Sequence, residues 1–322
     1  MAVGEYDHVR DFAQGLVRAD GIDIDWLDLP IEEIFYRFLK YREWDISELS
    51  FAKYVALTAQ GGAGIGAIPV FVSRVFRHSS FYVRSGGPVK QPRDLKGKRI
   101  GIPEWAQTAA VYTRGYLVHE VGIRLQDIEW IQAGVNQPGR VEKIDLKLPR
   151  GVRYRRVADK SLSEMLLSGE IDCMLSARAP QPFLDGDRRI RRLMPEYRNA
   201  ELDYFRRTGI FPIMHVIALR AEVLRQHPWA AMNLLKAFEE SKRRSLARIA
   251  DITASYYPLA WLQDIGAEAR KVFGDDPWPY GIDANRATLD AFLRYAHEQG
   301  VASRKLKPED LFPASVQSRH RV

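Results

Sequence analysis

The sequence predicts a two-lobed α/β protein with a ligand cleft between its lobes. Three observations lead there. Short apolar runs alternate with helical periodicity through the first third of the chain. A β-branched run, TGIFPIMHVIALR (208–220), then follows a long polar stretch. Beyond it the pattern is helical almost to the end, so the last third has the character of a tail packing back on an earlier lobe.

The elements are read in order. IDIDWLDL (22–29) is expected as a strand, and IEEIFYRFLKY (31–41) as a helix opened by Pro30. WDISEL (44–49) reads as a short strand. FAKYVALTAQ (51–60) reads as a helix with Ser50 as its N-cap, closed at Gly61–Gly62. AIPVFVSRVF (67–76) and SSFYVRS (79–85) read as strands. PRDLKGKRIGIP leads through a basic loop into a buried strand, and a helix starts near Gln107. IEWIQAG (128–134) is a strand, and 161–178 reads as helix, Gly turn and strand. Residues 188–208 are polar and suggest no element. Helices follow at 228–249, 256–273 and 284–299, the last closed by Gly300. This alternation argues for a largely parallel sheet. The lobes are expected as 1–85 plus 213–322 and as 86–212, with ligand held outside the carboxyl ends of the strands.

The 322 residues are 46% apolar and 28% charged, the balance of a folded globular protein. Cys173 is the single cysteine, which excludes an internal disulfide and a cysteine-rich metal site and fits a reducing compartment. The opening MAVGEYDHVRDFAQGL is charged and has no apolar core like that of a signal peptide, so a cytoplasmic location is expected. No apolar run approaches the ~18 residues of a membrane span, and no membrane partner is expected. The net charge of +7 comes largely from arginine. Its clusters lack interleaved aromatics, so the field suits a small anion better than nucleic acid. Self-association is left open.

Two patterns carry no chemistry. GGAGIGAI (61–68) follows a helix rather than a strand, so it is not a dinucleotide fingerprint. No local metal-ligand spacing occurs, and no cofactor is expected. A divalent metal stays admissible only if His78, Glu104 and His215 converge from three segments.

Several segments carry a likeness: WDISELS (44–50), IPVFVSRVFRHSSFYVR (68–84), DLKGKRIGIPEWAQTAAVYTRG (94–115), GRVEK (139–143), LLSGEIDCMLSARAP (166–180), RRTGIFPIMHVIALR (206–220), HPWAAMNLLKAF (227–238) and PWPYGIDANR (277–286). With these the chain resembles the 4,5-dihydroxyphthalate decarboxylase family over nearly its whole length. FRHSS, PEWAQTA and TGIFPIMH are the specific parts; DLKGKRIG is shared by many solute-binding proteins. The resemblance implies a type II periplasmic-binding-protein-like fold and a decarboxylase acting on a hydroxylated aromatic dicarboxylate, a small anionic partner.

Direct loss of CO2 from an aromatic ring leaves an unstabilised aryl anion. A hydroxyl para to the carboxylate offers another route, in which the ring is protonated first and CO2 leaves from the ketonised intermediate. That route needs a proton donor at the ring carbon, a path for the phenol proton, and cations or N–H groups for the carboxylates. His78, His215 and Glu104 are the candidates for proton handling. Each has a plainer reading, as a turn histidine, a hydrogen-bonded core histidine and a first-turn helix residue. Arg77 and Arg178 are candidate carboxylate clamps. Ser50, Ser79, Gln107 and Thr108 are candidate binding residues, the last two at a helix start that favours anions. Trp105 is a candidate for stacking on the substrate ring. The rival reading is a solute-binding protein for an aromatic acid, which the same fold would serve.

Overall fold

The computed structural model describes residues 1–62 and 64–317 and is built on two sheets. In chain order the strands are β1 (Ile46–Ser50), β2 (Ile65–Arg74), β3 (Phe81–Arg84), β4 (Arg99–Ile102), β5 (Glu129–Gln132), β6 (Arg153–Arg156), β7 (Cys173–Leu175), β8 (Ile190–Arg192) and β9 (Ile213–Arg220). The small sheet has the order β1-β9-β2 and is antiparallel throughout. The large sheet has the order β6-β5-β4-β7-β3-β8. There β6, β5, β4 and β7 run parallel, and β3 lies antiparallel between β7 and β8.

The expected largely parallel sheet is met by four strands of the large sheet and not by the small one. The chain leaves the small sheet after β2 and re-enters it late, and β9 returns between β1 and β2 as the antiparallel partner of both. The link out of the small sheet spans 75–80, because Phe81–Arg84 already pairs with β7 and β8. The segment 22–29 makes no strand. It touches the fold through isolated bridges from Ile22 and Leu27, since Asp23, Asp25 and Asp28 interrupt its apolar residues. The polar stretch 188–208 holds β8 and a helix, Tyr197–Thr208, that buries only Tyr204 among its residues. A helix at Asp7–Ala13 and the exposed strand Arg153–Arg156 also went unread, the second because its face is almost all arginine.

Two helix starts meet at the junction of the sheets. The helix Phe51–Ala59 begins directly at the end of β1, and Thr108–His119 follows β4. Ser50 occupies the cap position of the first, yet its own side chain does not cap it. Its Oγ lies 3.0 Å from Thr108 Oγ1, and that oxygen accepts the N–H of Ala52 at 3.0 Å. The start of one helix is thus capped by a hydroxyl from the start of the other, across the junction.

The helix Arg286–Glu298 packs against both of these helices. Its Tyr295 lies so close to Gly115 that a Cβ there would fall 2.4 Å from the ring. Just after this helix, Gln299 Oε1 accepts Arg114 Nε at 2.8 Å. Arg114 is fully buried and also donates to the Trp105 carbonyl at 2.6 Å. Among the described residues no helix is long and apolar enough to cross a membrane.

Candidate active site

A cavity of about 180 Å3 lies where the two sheets meet. From the small-sheet side it is lined by Glu32, Phe35, Ser50, Lys53 and His215; the far side supplies Glu104, Gln107, Thr108, Arg140, Lys143 and Arg178. Arg77, on the link between β2 and β3, reaches it too.

His215 sits in the centre strand of the small sheet, opposite Ser50 of β1 and Ser73 of β2. Side chains two apart on a strand share a face, so Glu48 is the diagonal same-face neighbour of His215. His215 Nδ1 lies 2.6 Å from Glu48 Oε1. Glu48 is completely buried, and its remaining partners are backbone and phenol: Gly4 N–H donates to Oε2 at 2.9 Å, and Tyr6 OH donates to Oε1 at 2.7 Å. Burial and the adjacent Glu48 charge push the Tyr6 phenol well above its usual range, so it stays a donor. With Nδ1–H given to a carboxylate, Nε2 is the imidazole nitrogen left to exchange a proton with the cavity. Phe35 stands edge-on to the ring at 4.9 Å and fixes its plane.

The other end of the cavity is cationic. Glu104 is completely buried; Lys53 Nζ lies 3.0 Å from its Oε2, Arg140 Nη2 2.7 Å from Oε1, and Lys143 Nζ 3.8 Å from Oε1. Burial alone would raise its pKa, but Lys53, Arg140 and Lys143 outweigh it and hold the carboxyl below its ordinary value. At the rim Glu32 Oε1 lies 3.4 Å from Arg140 and 3.5 Å from Arg178. The cavity therefore carries five cations, Lys53, Arg77, Arg140, Lys143 and Arg178, against the two lining carboxylates Glu32 and Glu104. Such a site is complementary to a ligand with more than one negative charge.

Of the candidate residues, Ser50, Arg77, Glu104, Gln107, Thr108, Arg178 and His215 come together here. Three do not. His78 is buried in a separate small pocket of about 10 Å3 beside Arg77, with Tyr116 and Tyr204 rings at 4.6 and 5.2 Å. Neither of its ring nitrogens has a hydrogen-bond partner, and Glu201 Oε1 is 3.9 Å away. Burial, aided by Arg207, lowers its pKa to about 4. It is no proton donor to the cavity, and the convergence of His78, Glu104 and His215 on one metal does not form. Among the described residues no group of three or more His, Cys, Asp or Glu side chains is placed to hold a metal. Ser79 also lies off the cavity lining, in the short turn after His78.

Trp105 is the third. It is completely buried, donates Nε1–H to the Gln299 carbonyl at 2.8 Å, and is covered by the Arg114 guanidinium at 4.0 Å from the ring centre. No face is left for a substrate ring. The expected anion seat at the helix start, Gln107 and Thr108, does line the cavity, but the N–H groups just before it are taken. The N–H groups of Trp105 and Ala106 already serve Glu142 Oε2, at 2.6 and 3.1 Å. Gln107, Thr108 and Ala109 line the cavity directly after these two residues, and Gln107 Oε1 is buried there without a partner, an acceptor open to a donor such as a substrate hydroxyl. Glu104 likewise changes character: it lines the site as an ionised counter-charge, the wrong form for an acid. Arg178 stands at the rim with 71% of its side chain exposed.

Glu48, Tyr6, Lys53, Arg140 and Lys143 were missed as site residues. The signal for Glu48 was a carboxylate inside ISELS, a strand buried at every position. A larger surface groove of about 680 Å3 runs along the helix Ala230–Ala250, and several of its charges pair with one another. Lys242 meets Asp276 at 2.7 Å and Glu239 at 2.8 Å, and Arg243 meets Glu240 at 2.7 Å.

Comparison with known proteins fits this geometry. A family model described as NMT1/THI5 like matches residues 49–145. A 4,5-dihydroxyphthalate decarboxylase of Comamonas testosteroni is 41% identical over 320 residues, covering 99% of this chain and 97% of that protein. One of Pseudomonas putida is 40% identical over 207 residues, 64% of this chain and 80% of the other. Among solved structures, a putative periplasmic sulfonate-binding protein of Methylobacillus flagellatus superposes with a TM-score of 0.56 at 15% identity, covering 95% of this chain and 84% of that one. The periplasmic aliphatic sulphonate binding protein of Escherichia coli gives 0.53 at 12% identity, covering 100% and 94%. The latter two establish the periplasmic-binding-protein fold, with its cleft between two lobes.

Proposed function

The chain belongs to the 4,5-dihydroxyphthalate decarboxylase family, and from this we propose that it is a carboxy-lyase that converts 4,5-dihydroxyphthalate to 3,4-dihydroxybenzoate and CO2. The observation that carries the reading is the 2.6 Å pair of His215 and buried Glu48, set in a cavity with an excess of cations.

In this reading the substrate dianion enters the cationic cavity. Each of its carboxylates has a hydroxyl para to it on the ring. The proton on His215 Nε2 is delivered to the ring carbon bearing the departing carboxylate, while the para hydroxyl gives its proton to solvent water, which later returns one, and becomes a carbonyl. Breaking the carbon–carboxylate bond returns the electron pair to the ring, CO2 leaves, and the oxygen is reprotonated as the ring becomes aromatic again. One proton is consumed, and it ends as the new C–H. Glu48 stabilises the imidazolium and holds its tautomer, and Tyr6 and Gly4 hold Glu48. The cations offset the negative charge that collects in a closed site.

We place the enzyme in the cytoplasm, a reading that the lone buried thiol of Cys173 supports because it fits a reducing compartment.

Purified protein incubated with 4,5-dihydroxyphthalate is expected to release CO2 and 3,4-dihydroxybenzoate in equal amounts. Tight binding with the acid recovered unchanged, across a panel of hydroxylated benzene dicarboxylates, would overturn the enzyme reading in favour of a solute-binding protein.

A further inference from the structure

The cations of the cavity are not spread evenly, and their distribution bears on which carboxylate is lost. Lys53, Arg140 and Lys143 gather around the single carboxylate of Glu104, a local excess of positive charge braced by one buried anion. The start of the helix Thr108–His119 adjoins this group, with Gln107 and Ala109 on the same wall. The surroundings of His215 differ: Phe35 lies edge-on to its ring, and Glu48 and Tyr6 stand behind it. The other two cavity cations are outside the cluster. Arg77 gives its Nε to Met214 Sδ at 3.3 Å, and Arg178 is on the rim with Glu32.

A carboxylate leaving as CO2 loses its charge in the transition state. Cations gripping it would stabilise the bound substrate more than the transition state and so raise the barrier. Cations gripping the carboxylate that stays contribute equally before and during the reaction. On this basis we infer that the Lys53–Arg140–Lys143 cluster holds the retained carboxylate, and that the departing carboxylate lies on the His215 side, outside the cluster. This rests on the decarboxylase reading and adds the orientation of the substrate to it. Glu104 acts through the cluster as a positioning residue.

The product keeps only the retained carboxylate, so its binding reads the cluster without turnover. The test measures the affinity of 3,4-dihydroxybenzoate and of its neutral amide by calorimetry, for the wild type and for Lys143→Gln. Lys143 is partly exposed and the outermost of the three, 3.8 Å from Glu104, so the variant keeps the buried pairs. Binding of the acid is expected to weaken about tenfold, as for loss of one charge-assisted contact, with the amide unaffected. KM for 4,5-dihydroxyphthalate should rise by a similar factor with kcat nearly constant. Arg140→Lys, which keeps the charge, should restore most of what Arg140→Gln loses. A rise in kcat with unchanged product affinity, the result of freeing the departing carboxylate from a cation, would overturn the inference, and so would equal weakening of acid and amide. If the wild type does not decarboxylate at all, the proposed function falls, while the contrast between acid and amide still reports whether the cluster reads a carboxylate.

Discussion

His215 and His78 occupy opposite kinds of surroundings barely two strands apart. His215 has a carboxylate at 2.6 Å on one nitrogen and a cavity at the other. His78 has two tyrosine rings, no hydrogen bond on either nitrogen, and a carboxyl at 3.9 Å. The first is arranged to hold and release a proton. The second is arranged to remain neutral. The difference shows that proton chemistry is set by what other strands and helices bring beside an imidazole, here Glu48 in one case and the helix Tyr197–Thr208 in the other.

His215→Gln puts this contrast to its most severe test. Loss of a general acid should lower kcat about 10²–10⁴-fold, with 3,4-dihydroxybenzoate affinity largely kept. Because Glu48 works through His215, the double variant with Glu48→Gln should be hardly slower than His215→Gln alone, which steady-state kinetics on the three variants would check. Additive losses would mean that Glu48 has a role of its own.

Next in size is Glu104→Gln, which leaves Lys53 and Arg140 without their buried partner. Unfolding free energy should fall by about 3–5 kcal/mol in denaturant titration. The acid limb of the kcat profile should stay where it is, since a carboxyl held ionised by three cations does not donate the proton.

The smallest effect on turnover is expected at His78→Phe, with kcat within about twofold if the histidine is off the reaction path. Its signature is in stability. His78 has a folded pKa of about 4 against an ordinary 6.5, so the unfolded chain binds the extra proton and stability is lost as pH falls from 6.5 towards 4. Burial raises Glu201 to about 7 from 4.5, so its contribution is lost as pH rises from 4.5 towards 7. The two slopes oppose one another between pH 4.5 and 6.5. Glu201→Gln should expose the acid-side loss, and His78→Phe should expose the opposite trend. Parallel stability curves for all three proteins would show that the pair is not buried as described.

Much of the fold was legible where periodicity is strong. The helix Ile31–Tyr41 appears at its expected bounds, because Ile34, Phe35 and Phe38 form one apolar stripe. β9 was readable as an apolar run interrupted only by His215 and closed by Arg220, because it is the centre strand of its sheet. The helix Tyr197–Thr208 was hidden because it buries almost nothing. The site was legible residue by residue but not by role. Arg77 and His78 are adjacent in sequence, yet only Arg77 lines the cleft. Trp105 follows Glu104, yet Arg114 of the helix Thr108–His119 and Gln299 from a distant segment seal it. Arg140 and Lys143 belong to GRVEK, a segment that carried resemblance without chemistry until folding set it against Glu104.

The helix Arg286–Glu298 has a mechanical consequence. It packs on Phe51–Ala59 and Thr108–His119 together, and the Ser50–Thr108 hydroxyl contact joins the starts of those same two helices. At the rim Glu32 meets Arg140 and the exposed Arg178 across the gap. The two sides of the cavity are therefore stitched together twice, by a hydroxyl pair at the seam and by an ion pair at the mouth.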